Sequence, residues 1–403
     1  MGQGSIVIAG AGQAGARAAE ALRAAGFTGS VTLVGSERHL PYERPQLSKE
    51  LLLGTHEVAV SIKPAATWAE LGIDLVLGTG VRDFDPAAGL VVLDDGRTLP
   101  CNRLLIATGT RPRRLPVLEA GPLPVHYLRT IEDAAAIKAA IDAKARIAII
   151  GGGVIGLEAA AAATKSGCAV TVIEAAPGLL TRALPKPVSD FLRAKHEQHG
   201  VDFRIGVAPT GVDADGVILG DGSRVAAEVI IVGIGVEPEI ALATRLGLDA
   251  RDGIKVDSFG RTAIPGVYAA GDVALQFSPW HERWMRIETW ANAQDQAANT
   301  ARNMADQESD YGAPPWFWTD QYDINLQAVG DPVTTDPILR GDPDTGRFAI
   351  IALRGDRIVG AVVVNTPRDM AALRRIVAAG TAIARRDLEN PATDLRRLIG
   401  AKS

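Results

Sequence analysis

Cysteine is scarce: the 403-residue chain has only Cys101 and Cys168. Two thiols cannot build a disulfide framework or a four-thiolate metal centre. They form no Cys-x-x-Cys or Cys-x4-Cys pair either, which excludes an internal dithiol relay. A reducing compartment fits such usage, so the cytoplasm is the expected location and no metal site is expected. Long apolar runs are also missing. The longest nearly unbroken one, residues 147–157, is interrupted by three consecutive glycines and falls well short of the ~18 residues that span a bilayer. No membrane segment is expected. The chain starts Met-Gly-Gln-Gly and passes straight into the apolar run 5–9, so no conventional export signal is expected either. Excess charge of one sign is absent too: 42 Lys+Arg face 47 Asp+Glu, a formal net charge of −5, which argues against a nucleic-acid partner held by bulk charge.

What the chain does have is length for two or three domains at roughly 150 residues each, 47% hydrophobic residues and 43 glycines. Gly-x-Gly-x-x-Gly occurs twice, at Gly10, Gly12, Gly15 and at Gly151, Gly153, Gly156, 141 residues apart. Each copy follows a β-branched run (5–9 and 147–150) and opens an alanine-rich stretch of good helix propensity (14–25 and 154–166). Strand, glycine turn and helix is the order that a dinucleotide site requires. The first glycine permits the turn, the second lets backbone approach a pyrophosphate, and the third lets helix and strand pack closely. Unsatisfied amides at the helix N-terminus then face the phosphates. A second β-branched strand follows each helix and ends near an acid, Glu37 or Glu174, 22 and 18 residues beyond the third glycine. An acid there accepts hydrogen bonds from ribose hydroxyls and repels a 2′-phosphate, so Glu174 favours NADH over NADPH in the second copy.

Two further runs end in small residues, 104–109 and 229–235, and read as domain exits. The fold class expected is therefore α/β, with two Rossmann-like domains, one inserted in the other, and a C-terminal α+β domain. Residues 1–109 and 235–312 form the outer domain, and 110–234 the insert. The stretch 110–124, with its arginines and four prolines, suits an exposed crossing. Residues 313–403 alternate aromatics and strand-like runs before a helical stretch near 370–386.

Seven segments in order resemble the two-dinucleotide flavoprotein reductases, and within them the ferredoxin reductases that serve Rieske-type oxygenases and bacterial cytochromes P450. They are residues 10–15, 40–49 (LPYERPQLSK), 104–109, 151–158, 265–272 (PGVYAAGD), 288–294 (ETWANAQ) and 316–322 (WFWTDQY). The resemblance covers nearly the whole chain. It implies FAD in the first site, against Gly10, Gly12, Gln13, Ala14, Gly15, Glu37, Ala107, Thr108, Gly109, Gly271, Asp272, Thr289 and Trp290. Arg44, Pro45 and Lys49 would line the flavin, Val81 would contact adenine, and Arg129 would reach the flavin phosphate or ring edge. NADH would occupy the second site, against Gly151, Gly153, Val154, Ile155, Gly156, Glu158, Glu174, Arg182 and Gly235. Two positions depart from the family pattern: Gln46 stands where proline is commoner, and Ser36 where the first acid often sits.

By the same resemblance Lys49 lies beside flavin N5, and Glu158 sits about one turn into the second glycine-led helix. A buried Lys–Glu pair there would avoid isolated-ion cost and set a cation near the reduced ring. Hydride transfer itself is cofactor chemistry. With no cysteine in the 41–49 loop, electrons must leave the flavin directly, one at a time, to a carrier such as a two-iron two-sulfur ferredoxin. Trp318 is a candidate for the path between them. Residues 368–402 carry eight Lys+Arg against four Asp+Glu, so Arg374, Arg375, Arg385 and Arg386 are candidates for docking an acidic carrier. Two other readings stay open: an NADH oxidase or quinone reductase, and a redox-controlled interaction protein like the apoptosis-inducing flavoproteins. Monomer and homodimer are equally compatible with the sequence.

Overall fold

A computed structural model describes residues 4–54 and 60–399 of the chain. They divide into two compact units, within Met1–Arg44, Ala59–Arg111 and Glu237–Pro315 for the first and within Pro45–Val58, Pro112–Val236 and Trp316–Ser403 for the second.

The first unit is built on a five-stranded parallel sheet in the order Val267–Ala269, Arg103–Ile106, Ser5–Ala9, Ser30–Gly35, Ile73–Leu77. Ser5–Ala9 is buried along its whole length, which is why it reads as a continuous apolar run rather than an alternating one. Ile6 and Ile8 face a core shared with helices Gln13–Ala24 and Trp290–Met304. Val7 and Ala9 face a second core that includes Phe84, Val91 and Leu93 of a three-stranded antiparallel meander. Ala16, Ala18 and Ala19 on one helix and Ala297 and Ala301 on the other are fully buried, so the alanine content of the first glycine-led helix serves close helix packing.

The second unit repeats the plan. Its parallel sheet runs Asp202–Ile205, Val170–Glu174, Ile147–Ile150, Val229–Val232, Val125–Tyr127, with helix Val154–Lys165 following the central strand. Its C-terminal part is an antiparallel sheet in the order Trp316–Gln321, Ile324–Gly330, Arg357–Val364, Arg347–Arg354, Ile338–Asp342, on which helix Pro367–Ala379 packs. Leu184, Val188 and Leu192, on and before the helix Lys186–Gln198, share one core with Leu326, Phe348, Ile350 and Val362 of that sheet. This common core joins the C-terminal sheet to the second nucleotide fold within one unit. The segment from Pro45 belongs to the second unit, with helix Glu50–Leu53 packed on Ile131–Asp142 and Val154–Lys165 and Leu52 fully buried. Among the described residues no helix is long and apolar enough to cross a membrane.

Arg340 anchors the end of the chain. It is buried, and its guanidinium donates to the carbonyls of Leu388, Asn390, Pro391 (3.0 Å) and Thr393, while the nearest carboxylate, Asp369, is 3.9 Å away. Arg340→Leu should cost about 3 kcal/mol, because several buried carbonyls lose a charged donor together. Urea unfolding checks this; an unchanged midpoint would show that water replaces the guanidinium.

Candidate active site

The two glycine motifs can be tested position by position. A Cβ on Gly10 would lie 2.2 Å from the Ala107 carbonyl oxygen, and one on Gly15 1.9 Å from the Gly10 oxygen. The same holds in the second copy, where Gly151 and Gly156 would meet the oxygens of Gly233 and Gly151 at 2.5 and 2.2 Å. Packing alone therefore demands the first and third glycines. The middle ones differ: a Cβ on Gly12 would meet nothing within 4 Å, and on Gly153 only an ordinary 3.7 Å contact. Both have negative φ that any residue adopts, so neither packing nor backbone strain requires glycine there, and the open space suits a ligand's close approach. Neither helix N-terminus has a side-chain cap or an acid in its first turn, whereas Thr130 and Asp133 form a full capping box on Ile131–Asp142 and Thr289 caps Trp290–Met304. The amides of Gln13–Ala24 and Val154–Lys165 are thus open to phosphate. At the first N-terminus both amide atoms of Gln13 are buried without a hydrogen-bond partner among the described residues, which fits contact with a polar ligand atom.

Within the first unit several predicted segments converge. Gly10 abuts Ala107 and Thr108, Gly271 abuts Ala14, and the Gly271 N–H donates to Gln296 of the helix that Thr289 caps. Asp272 stands in the first turn after Gly271. The Thr108 hydroxyl donates to the Glu239 carbonyl. Glu37 is held by Arg44 at 2.6 Å and by the Tyr42 hydroxyl at 2.6 Å, so Arg44 is tied to the candidate ribose acid. Gly78 and Thr79 donate to the backbone of Glu37 and Gly35, which brings the turn before Val81 to the same end of the sheet.

In the second unit the Glu174 carboxylate accepts the N–H groups of Gly152 and Ala176, each at 2.7 Å. These bonds fix its position at the glycine turn and leave lone pairs for hydroxyl donors. Val154 is half-buried and Ile155 exposed at the start of the helix. The Arg182 guanidinium reaches to 4.0 Å from where a Gly235 Cβ would be, as does that of Arg113, which the sequence reading missed. Arg129 enters the capped helix Ile131–Asp142, its N–H bound to Asp133.

About one turn into the helix that the second motif opens lies the charged centre. Glu158 has only 4% of its side chain exposed. Ser48 donates to its Oε2, Thr319 donates to Oε1 at 2.6 Å, and Lys49 Nζ lies 3.7 Å from Oε1 and 3.0 Å from Asp320 Oδ2. Burial pushes the Glu158 carboxyl above the usual range, while Lys49 and the two hydroxyl donors pull it back. Pro45 opens the short turn that presents Ser48 and Lys49. The centre walls a cavity of about 670 Å³ that continues along the helix past Ala161 to Lys165. Lys49 Nζ also sits 5.2 Å over the Trp318 ring, Trp318 stacks on Trp316 at 5.3 Å, and the Arg374 guanidinium covers Trp316 at 4.4 Å. The sequence does not single out Ser48, Thr319 and Asp320 individually, although they lie in the segments 40–49 and 316–322. The pleat of Trp316–Gln321 separates them: Trp316, Trp318 and Asp320 alternate with the buried Thr319 and Gln321.

Both cysteines are buried. Burial pushes the Cys101 thiol up to about 12 and raises that of Cys168, so neither is poised as a thiolate. Of the basic C-terminal residues, Arg385 is met by Asp336 and Glu389, whereas Arg374 and Arg375 lie exposed on helix Pro367–Ala379.

Paired glycine turns, uncapped helices and a buried Lys–Glu centre define a two-dinucleotide oxidoreductase. Residues 4–297 match the pyridine nucleotide-disulphide oxidoreductase family and residues 316–399 the reductase C-terminal family. The chain belongs to the pyridine nucleotide-disulphide oxidoreductase family. It is 48% identical over 393 residues to the ferredoxin–NAD(+) reductase component of the p-cumate 2,3-dioxygenase system of Pseudomonas putida, covering 97% of each chain. To putidaredoxin reductase of the same species it is 36% identical, covering 98% of this chain and 97% of that one. Among solved structures it is similar to the covalent putidaredoxin reductase–putidaredoxin complex, with a TM-score of 0.94, 35% identity and 99% of both chains covered.

The centre predicts a pH-dependent stability. A folded-state carboxyl raised by burial favours folding below the pKa of an unfolded glutamate, and that contribution is lost as pH rises through the raised value. Lys49→Met raises Glu158 further, so its extra destabilisation should be small at pH 5 and about 3 kcal/mol at pH 8. Urea midpoints at the two pH values test it; equal losses would show that Lys49 does not hold the carboxylate.

Proposed function

We propose that the chain is the FAD-dependent, NADH-oxidising reductase that delivers electrons to a two-iron two-sulfur ferredoxin in a Rieske-type oxygenase or cytochrome P450 system. The observation that carries this reading is the column Lys49–Trp318–Trp316–Arg374, which leads from the buried centre to an exposed cation while both thiols are buried and protonated. Bound FAD would supply the conversion of a two-electron hydride from NADH into single electrons.

The first glycine-led helix holds the FAD pyrophosphate through its open amides and Gln13, and Glu37, oriented by Arg44 and Tyr42, takes the ribose. Thr108, Gly109, Gly271, Asp272, Thr289 and Trp290 complete that site. Gly151, Gly153, Val154, Ile155 and Gly156 seat NADH, with Glu174 binding its ribose and Arg182 and Gly235 lying alongside. Glu158 and Lys49 orient the nicotinamide and keep a positive charge where electron density accumulates. Trp318 shortens the path outward, and Arg374 and Arg375 attract an acidic carrier.

Anaerobic NADH should bleach the visible spectrum of the FAD-loaded protein, and an added ferredoxin should then couple NADH oxidation to cytochrome c reduction. A chain that takes up no flavin, or that is reduced only by an external dithiol, would overturn the reading. Reversing both charges in Arg374→Glu/Arg375→Glu should slow ferredoxin reduction about tenfold at low salt and flatten its salt dependence. Ferricyanide reduction should be unchanged; equal loss with both acceptors would remove the docking role.

A further inference from the structure

From the charged centre a chain of polar groups extends through Thr319, Gln321 and His196 to the half-buried Tyr322, and with Glu158 ionised each link has one direction. Glu158 beside Lys49 is an acceptor, so Thr319 Oγ1 must donate to it, at 2.6 Å. With its proton so used, Thr319 accepts from Gln321 Nε2 at 3.0 Å. The amide of Gln321 therefore turns its oxygen to His196 Nε2, 2.7 Å away, and that nitrogen must carry a proton. His196 Nδ1 is then bare and accepts from the Tyr322 hydroxyl at 3.1 Å. Tyr322, His196, Gln321 and Thr319 thus all donate toward Glu158.

Two further observations set this chain apart from ordinary core filling. His196 has no exposed surface, and burial pushes its imidazole down to about 4, which holds it neutral. Tyr322 occupies the first position of the two-residue turn between Trp316–Gln321 and Ile324–Gly330 with φ +54°, a conformation usually left to glycine or asparagine. It is held there by stacking on the His199 ring at 3.7 Å and 10°, and by its bond to His196. An aromatic kept in a disfavoured backbone region by two histidines marks a constrained arrangement.

We propose that His196 is a positioning residue whose Nε2–H, acting through Gln321, keeps the Thr319 hydroxyl proton directed at the Glu158 carboxylate. The inference rests on the function proposed above for its effect on rate, but not for its geometry. Among the described residues, the titratable groups facing His196 are Tyr322 and His199, and those facing Glu158 are Lys49 and Asp320.

Nitrogen-15 NMR of the imidazoles, with His196 assigned by comparison with His196→Gln, reads the tautomer without turnover. The Nε2–H form is expected from pH 5.5 to 8.5, as an expectation from a pKa near 4. An Nδ1–H form, or titration of His196 within that range, would overturn the proposal whatever the enzyme's activity. In stopped-flow reduction of the FAD-loaded protein by NADH, His196→Met should lower the rate about tenfold and shift the acid limb of its pH profile upward. His196→Gln, whose amide still donates to Gln321, should recover most of both. A His196→Met enzyme with an unshifted profile, or one whose defect His196→Gln leaves in place, would show that the ring only fills space.

Discussion

A carboxylate taken out of water is stable only if other groups replace its hydration, and Glu158 meets that requirement with partners from three distant parts of the chain. Ser48 and Lys49 come from the segment that leaves the first unit, Thr319 comes from the edge strand of the C-terminal sheet, and the glutamate itself lies on the second glycine-led helix. An unpaired buried ion costs several kcal/mol, and breaking a buried pair costs about 3–5 kcal/mol, so these segments cannot drift apart without a penalty. Lys49, only 14% exposed, is shared between the buried Glu158 at 3.7 Å and the half-exposed Asp320, which it hydrogen-bonds at 3.0 Å.

The helix that carries Glu158 serves two purposes separated by one turn. Its first amides lack any side-chain cap, and its middle glycine leaves open space, which suits an anion. Its next turn is walled by apolar alanines, and there charge is admitted only when paired.

Away from the centre, stacked indoles between Lys49 and Arg374 form a compact aromatic column within one unit, and both thiols are buried. Local neutralisation also sorts the basic C-terminal residues. Arg385 is met by two carboxylates, while Arg374 caps an indole and retains its net charge.

Much of this was readable from the sequence because it is local. Strand, glycine turn and helix follow one another within about 20 residues, and the acids Glu37 and Glu174 lie at fixed spacing beyond them. The scarcity of cysteine, the paired nucleotide folds and the α+β character of the last 90 residues or so are likewise properties of composition and short-range pattern. What only the tertiary structure decided is every contact between segments remote in sequence. Ser48 and Thr319 look like any other hydroxyl residues until folding sets them 110 and 161 positions from their shared partner, Glu158. The transfer of residues after Pro45 to the second unit, the core shared by Val188 and Phe348, and the pairing of Arg44 with Glu37 belong to the same class. Periodicity and spacing encode backbone geometry along the chain, whereas a buried charge selects its partners by distance in space.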